Sequence, residues 1–155
     1  MIWMWQVPAV ADEPRDALWW FRAANAVEAA RKANVPEKEF LTAVAIALAE
    51  SRADQSRVGD RRIARGKWGP SVGMMQLRTM PSQRGTGGPR DFDRVSADAV
   101  ENMLAAMEIF RGDGDEPERG WEPWSVFASG EYERFLPDAE RAVALYDEAQ
   151  RWGIR

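Results

Sequence analysis

The sequence predicts an all-α fold, or an α fold with one very small β-hairpin. Apolar residues recur at helical spacing in four segments, and no stretch of useful length alternates apolar and polar residues as a half-buried strand would. The 155 residues, of which 45% are hydrophobic and 30% charged, suffice for one core and are few for two domains. We therefore expect a single domain over residues 1–155, with residues 1–11 as an N-terminal extension.

Two helices are predicted in the first third of the chain. The first should begin near Asp12 and Pro14, which suit an N-cap and an early-turn proline, and should end at about Ala33. The second should run over 34–50. Because residues 40–49 are almost uniformly apolar, we expect this second helix to be packed on most sides, as the central helix of the domain. The apolar face of the first helix is predicted to comprise Leu18, Phe21, Ala24, Val27 and Ala30.

The rest of the chain is predicted to form loops and two further helices. Residues 51–73 lose helical periodicity and gather Gly, Asp, Arg and Pro, so a long irregular connection, with any small hairpin, should lie there. A second loop is expected over 81–94. Ser96 should cap a third helix, and a final helix should extend from about Pro137 to Trp152. The apolar face of the third helix is predicted at Val100, Met103, Leu104, Met107 and Phe110.

Composition narrows the chemistry before any motif is considered. The chain has no Cys and no His, which excludes disulfides, Ser/His and Cys/His nucleophile pairs and His-ligated metal sites. Carboxylates remain as the source of proton transfer, and no metal or cofactor is expected. The net charge is −4, and the one dense basic cluster, over 57–67, is interrupted by Gly and Asp, so nucleic-acid binding is not expected. No stretch approaches the roughly 18 to 20 apolar residues that span a bilayer, so no membrane partner is expected.

Glu50 closes the apolar run of the second helix and is followed at once by Ser51. A carboxyl group carried by a buried helix loses hydration, which disfavours its ionised form and suits a general acid. The alternative is that Glu50 marks the point at which the helix meets water, as most glutamates at helix ends do. These two residues alone favour the second interpretation, and the segments that follow reverse it.

The segments after Glu50 carry a family resemblance. Residues 67–77 read Lys-Trp-Gly-Pro-Ser-Val-Gly-Met-Met-Gln-Leu, and a loop containing Gly59 and Asp60 precedes them. Together with Glu50-Ser51, this order resembles the lysozyme-like superfamily of soluble lytic transglycosylases and goose-type lysozymes. In that family a Glu-Ser pair ends a core helix, and a Ser-x-Gly-Leu-Met-Gln-Leu type segment lines the facing cleft. The positions that match are Ser71, Gly73, Met75, Gln76 and Leu77, with Met74 where Leu is usual.

The resemblance covers about residues 38–146, and the core that resembles the family is placed at 34–146. The order Trp-Gly-Pro-Ser-Val-Gly, the continuation over 85–91, Asn102 and the stretch 121–132 look most like cell-wall lytic domains of actinobacteria and their phages. The resemblance implies a lysozyme-like domain with the catalytic helix at its core and a cleft beside that helix.

The resemblance also implies a site in which Glu50 is the general acid, because a glycosidic oxygen is a poor leaving group until it is protonated. Gly73 would let the backbone approach a sugar closely, and Gln76 offers a donor and an acceptor to N-acetyl or hydroxyl groups. Tryptophans in the flanking loops provide indole faces for stacking on sugars. The residues expected to contact substrate are Ser51, Trp68, Ser71, Gly73, Met75, Gln76, Trp121, Trp124, Phe127 and Tyr132.

The need for a second carboxylate depends on the reaction. A hydrolase needs a group that activates water or acts as a nucleophile, whereas transglycosylases of this superfamily resemble a one-glutamate system in which the sugar's own substituent completes the reaction. Asp54 and Asp60 are the local candidates. Asp60 follows Gly59 in the loop expected to cross the cleft, but Asp after Gly is also common turn chemistry, so both interpretations of Asp60 stay open.

Residues 126–130 depart from the family pattern. Soluble lytic transglycosylases usually have Ala-Tyr-Asn-Ala-Gly here, with the Tyr hydroxyl directed towards the catalytic Glu. Phe127 cannot supply that hydrogen bond. Three explanations are open: Tyr132 or Ser51 replaces the hydroxyl, the activity is weak, or this branch works without it.

The expected function is cleavage of peptidoglycan at the β-1,4 bond between N-acetylmuramic acid and N-acetylglucosamine, by a muramidase or lytic transglycosylase. The alternative is a structural virion or wall-binding protein that keeps the fold with little or no catalysis, which Phe127 and the acidic second half of the chain favour. Residues 1–7 lack the basic start and longer apolar core of a signal peptide. We therefore expect a phage protein that acts on the cell wall, either released at lysis as an endolysin or carried in the virion. Trp3 and Trp5 are expected either to fold back on the domain or to bind a partner such as another phage tail or virion protein.

Overall fold

The computed structural model describes residues 14–63, 65–113 and 116–153. The N-terminal extension, Trp3 and Trp5, and the helix start predicted at Asp12 lie outside these ranges. Within them the chain forms six α-helices and one small antiparallel sheet, which confirms the prediction of an all-α fold with a very small β element. None of the helices in the described ranges combines the length and the apolar character needed to cross a membrane.

The described part of the chain contains six helices and one sheet of three two-residue strands. The helices are α1 (Ala17–Lys32), α2 (Glu37–Ser51), α3 (Phe92–Val95), α4 (Ala99–Arg111), α5 (Ser125–Ala128) and α6 (Leu136–Arg151). The strands are β1 (Val58–Gly59), β2 (Ser71–Val72) and β3 (Leu77–Arg78), and short 3-10 segments lie at Arg61–Ile63, Pro81–Gln83 and Glu131–Phe135. Val72 of the middle strand β2 is opposite both Val58 and Leu77. The hairpin expected in the long loop therefore gains a third strand from the segment after it.

Helix α2 is the central helix that its apolar run predicts. Residues 43–48 have no solvent exposure, and the helix packs against α1, α6 and the 3-10 segment Glu131–Phe135. The helix ends because Arg52 and Ala53 adopt left-handed backbone conformations, with φ of 60° and 56°. This ending leaves Glu50 in the last turn, at the border of the core.

Helix α1 buries Val27 and Ala30, as predicted, but not the first part of the predicted face. Leu18 and Phe21, which the pattern assigns to the core side, are 53% and 65% exposed. Asp16, not Asp12, caps the helix, because its side chain accepts a hydrogen bond from the Trp19 N–H at 2.9 Å. The small side chains of the buried stripe let α1 pack closely against α2 and α4. That stripe comprises Trp19, Ala23, Ala26, Val27, Ala29 and Ala30.

The later helices differ from the predictions mainly at their ends. Asp98, rather than Ser96, caps α4, and its Oδ1 accepts from the Glu101 N–H at 2.8 Å. Ser96 instead follows α3, a one-turn helix within the predicted loop. Such shifts are ordinary because several polar residues near a helix start can serve as the cap.

Candidate active site

Glu50 opens into a cleft at the end of α2. The cleft has a volume of about 570 Å³, which lies within the range of sites for small ligands. The sheet forms one wall, and the segment after α4 forms another. The residues of the predicted site that line this first cavity are Glu50, Asp60, Trp68, Ser71, Gln76 and Trp124.

The Glu50 carboxyl is half-buried and makes no hydrogen bond to any described residue. Its pKa is raised from 4.5 to about 7, chiefly by burial and then by the negative charges of Asp60 and Glu131, while Arg57 acts in the opposite direction. A large fraction of this carboxyl therefore keeps its proton at neutral pH. A group that holds a proton beside an open cleft has the properties of a general acid.

Asp60 follows β1 and reaches the same cavity. Its Oδ2 accepts a hydrogen bond from the Ser71 hydroxyl of β2 and lies 3.9 Å from the Arg78 guanidinium of β3. Asp54, the other candidate carboxylate, does not line the cavity, and its Oδ1 accepts from the Ser56 hydroxyl at 2.6 Å. In the part of the chain that the structure describes, no three His, Cys, Asp or Glu side chains converge as a metal site.

Ser51 lies behind the cavity, contrary to the expectation that it contacts substrate. Its side chain is buried, and its hydroxyl donates to the Met74 carbonyl at 2.8 Å and accepts from the Asp54 N–H at 3.0 Å. Because the hydroxyl proton is engaged, Ser51 cannot take the place of a Tyr hydroxyl directed at Glu50. Its contacts tie the end of α2 to the turn before β3, which fixes the position of Glu50 relative to the cleft wall.

Gly73 and Met75 also lie behind the cavity rather than in it. A Cβ at Gly73, whose φ is 81°, would lie 2.2 Å from Asn102 Nδ2. Glycine is therefore required here because the backbone packs against the Asn102 side chain, and not because a sugar approaches it. The fully buried Asn102 accepts from the Met75 N–H at 3.0 Å and donates to the carbonyls of Val72 and Val95 at 3.0 and 2.9 Å. These bonds hold the turn between β2 and β3 against α4.

Gln76 and Trp124 reach the cavity from opposite walls. The Gln76 Nε2 donates to the Gly73 carbonyl at 2.8 Å, and its Oε1 lies against Gly59 and accepts no hydrogen bond from the described residues. The Trp124 indole N–H donates to the Met75 carbonyl at 2.9 Å, which fixes the orientation of the ring. Both side chains are thus held in place before any substrate binds.

Trp121 does not line the cavity, contrary to its predicted role as a stacking platform. It is 4% exposed, and its indole N–H donates to the Glu39 carboxylate at 2.9 Å. Its ring contacts Phe110 at 4.6 Å and the edge of Trp124 at 5.2 Å between centroids. Trp121 therefore supports Trp124 from the core side.

Phe127 and Tyr132 stack on each other with centroids 4.9 Å apart, and neither lines the cavity. The Tyr132 hydroxyl makes no hydrogen bond to Glu50 or to any other described residue. With Ser51 also excluded, neither proposed replacement for the family's Tyr hydroxyl reaches Glu50. The Phe127–Tyr132 pair packs against the core instead.

Two residues that shape the site were not assigned a role from the sequence. Asn102 has a recognisable signal, because it is a polar residue among the buried positions of α4. Glu131 has none: it lies in an acidic, Gly-flanked segment, and only the fold reveals that its charge acts on Glu50.

Comparison with known proteins identifies a family for this chain but no individual relative. No curated protein and no solved structure matched the chain. A family model described as a lysozyme-like domain matches residues 26–126, which is more than half of the chain and includes all six predicted residues that line the cavity. Phe127 and Tyr132 lie beyond the match. The chain belongs to the lysozyme-like domain family.

Proposed function

We propose that this protein cleaves the β-1,4 bond between N-acetylmuramic acid and N-acetylglucosamine in peptidoglycan, with Glu50 as the general acid. The observation that carries the proposal is a half-buried carboxyl, with a pKa raised to about 7 by burial and by neighbouring carboxylates, that opens into a 570 Å³ cleft. Membership of the lysozyme-like domain family supports peptidoglycan as the substrate.

The chemistry requires Glu50 to be protonated when the glycan binds. Proton donation to the glycosidic oxygen lets the bond break as positive charge develops on the sugar ring. Burial of the Glu50 carboxyl favours its protonated form, and the cleft gives the substrate access to that carboxyl. Trp68, Gln76 and Trp124 are the proposed contacts to the sugars, because all three line the cleft and carry aromatic or amide groups of the kind that bind sugars.

Asp60 is proposed to act first through its charge. As an anion near Glu50 it favours retention of the Glu50 proton, which supports donation to the leaving group. Its Oδ1 has no hydrogen-bond partner among the described residues, so it is also a proposed site for a water molecule. A water held there would give hydrolysis, and its absence would leave the sugar's own hydroxyl to form an anhydro product.

The test of the proposal is mass spectrometry of the fragments released from purified peptidoglycan. The wild type should release fragments from at least one of several wall types, and Glu50→Gln should release them about 10² to 10⁴-fold more slowly. Reducing-end muropeptides would identify a hydrolase, and anhydromuramyl ends a transglycosylase. Glu140→Gln is the matched control, because Glu140 is an exposed residue of α6 outside the cleft. A wild type that releases nothing from any wall would refute the enzyme and favour a structural wall-binding protein.

Asp60→Asn should move the alkaline limb of the pH–rate profile to lower pH. Removal of the Asp60 charge lowers the pKa of Glu50, and a general acid loses activity as the pH rises through its pKa. Initial rates of wall solubilisation between pH 4 and pH 9 measure the shift.

Glu131→Gln is the comparison that separates the two roles of Asp60. Its charge also raises the pKa of Glu50, but Glu131 does not line the cleft, so the limb should shift without loss of the maximal rate. If Asp60 also positions water, only Asp60→Asn will lower the maximum. An unmoved limb in both variants would contradict the electrostatic role.

A further inference from the structure

A second cavity lies beside the first and shares part of its wall. It has a volume of about 750 Å³, and Trp68 and Arg119 line both cavities. The proposed glycan contacts lie in the first cavity, so a ligand in the first cavity that carries a side branch has a place for that branch in the second. Trp68 and Arg119 form the wall that the two cavities share.

The anions and cations that line the second cavity differ in whether they have ion-pair partners. Its two described acidic residues are each paired: Asp113 lies 3.4 Å from the Arg111 guanidinium, and Glu116 forms an ion pair with the buried Arg90. Lys67 and Arg119 also line it, and neither forms an ion pair with a described residue. Two cations without an ion-pair partner among the described residues therefore face this cavity, in a protein whose net charge is −4.

The cations are held near the junction between the cavities. The Lys67 ammonium lies 5.1 Å from the centroid of the Trp68 ring, and the Arg90 guanidinium lies 5.0 Å from the same ring. Contact with the ring face limits the positions of the Lys67 ammonium. Arg119 lines both cavities, so its guanidinium is available to a group that passes from one to the other.

We propose that the second cavity binds the stem peptide of peptidoglycan, with Lys67 and Arg119 recognising its carboxylates. This inference rests on the proposed function, since the stem is the anionic branch of the glycan assigned to the first cavity. A guanidinium binds a carboxylate through two parallel N–H···O bonds, and an ammonium binds it as a compact charge. An uncharged saccharide would gain little from two unpaired cations, which argues against a simple continuation of the glycan groove.

The experiment compares two substrates and two charge-matched double variants. Lys67→Gln/Arg119→Gln removes the cations of the second cavity, and Lys38→Gln/Arg151→Gln removes two exposed cations elsewhere, so both variants lose equal attraction to an anionic wall. The substrates are glycan chains that bear stem peptides and chains from which an amidase has removed them. We expect the first variant to lose about tenfold or more of kcat/KM on stem-bearing chains and about twofold or less on stripped chains. The control pair should change neither by more than about twofold.

A binding measurement makes the inference independent of turnover. Titration of the Glu50→Gln protein with a soluble disaccharide-peptide, followed by calorimetry, should show roughly tenfold weaker binding when Lys67→Gln/Arg119→Gln is added. The same muropeptide with its carboxylates amidated should bind the two proteins equally. Equal losses on stem-bearing and stripped chains, or unchanged affinity for the muropeptide, would overturn the assignment. Intact stem recognition without fragment release from any wall would instead refute the proposed catalysis alone.

Discussion

Glu50→Gln is expected to lower the rate of glycan cleavage by about 10² to 10⁴-fold, the range over which a positioned general acid contributes. The amide has nearly the same shape as the carboxylic acid but cannot supply a proton to the glycosidic oxygen. Substrate affinity should change little, because Glu50 makes no hydrogen bond that positions the cleft. The measurement is kcat and KM on soluble glycan chains near pH 6. A loss confined to KM would mean that Glu50 binds substrate but does not donate a proton.

The same substitution should stabilise the folded protein above neutral pH. The pKa of Glu50 is about 7 in the folded state and 4.5 in its ordinary state. Below pH 4.5 both states are protonated, so Glu50 does not weaken the fold; as the pH rises towards 7, ionisation increasingly favours the unfolded chain. Glutamine has no such penalty. At pH 8 the variant should be more stable by about 1–2 kcal/mol, reduced from the roughly 3 kcal/mol that the shift implies because the carboxyl is partly solvated.

Urea denaturation at pH 4, 6 and 8 separates this effect from ordinary repacking. The stability difference between Glu50→Gln and the wild type should be small at pH 4 and should grow with pH. Glu140→Gln, at an exposed position, should show no such growth. A constant difference at all three pH values would show that the carboxyl is not destabilised by ionisation in the folded protein.

The absence of a Tyr hydroxyl next to Glu50 is consistent with the raised pKa of its carboxyl. A hydroxyl that donates to a carboxylate stabilises the ionised form and lowers the pKa. With Phe127 stacked on Tyr132 and the Ser51 proton engaged elsewhere, nothing among the described residues stabilises the Glu50 anion by a hydrogen bond. Burial, Asp60 and Glu131 therefore act with little opposition except from Arg57. The departure from the family pattern leaves proton retention to burial and charge.

The central helix and its Glu were predictable because they depend on local patterns. Nine of the ten residues over 40–49 are apolar, which favours burial on most sides, and the Glu that ends such a run is expected at a core border. The face of α1 was not predictable in the same way. Leu18 and Trp19 are adjacent apolar residues, and the choice between them depends on the small Ala23 and Ala26, which allow close packing that hydrophobicity alone does not describe.

The positions of Ser51, Gly73 and Met75 behind the cleft were not predictable for a related reason. A motif gives positions along the chain, but the direction of each side chain depends on the turn between β2 and β3. That turn directs Gln76 into the cleft and Met75 into the core, and its backbone groups engage Ser51 and Asn102. Motif membership therefore identified a segment that lines the cavity, but not which of its side chains face that cavity and which are buried.

Gly73→Ala should destabilise the protein by about 3–4 kcal/mol, within the range of severe core substitutions. The new Cβ would lie 2.2 Å from Asn102 Nδ2 and 2.8 Å from Gln55 Oε1, on a backbone with φ of 81°. Neither amide can move without loss of hydrogen bonds, since Asn102 donates to two carbonyls and Gln55 accepts from the Met74 N–H at 3.1 Å. Urea denaturation at pH 6 measures the loss.

Gly130→Ala provides the matched control for Gly73→Ala. Its φ of 79° is nearly the same, but nothing lies within 4 Å of its Cβ position, so only the left-handed backbone should matter, at about 1–2 kcal/mol. The difference between the two substitutions therefore isolates crowding from backbone strain. Adding Asn102→Ala to Gly73→Ala should cost less than the sum of the single losses, because the clash and the lost hydrogen bonds share one partner. Strict additivity would mean that the turn relaxes away from α4, in which case Asn102 does not hold the cleft wall.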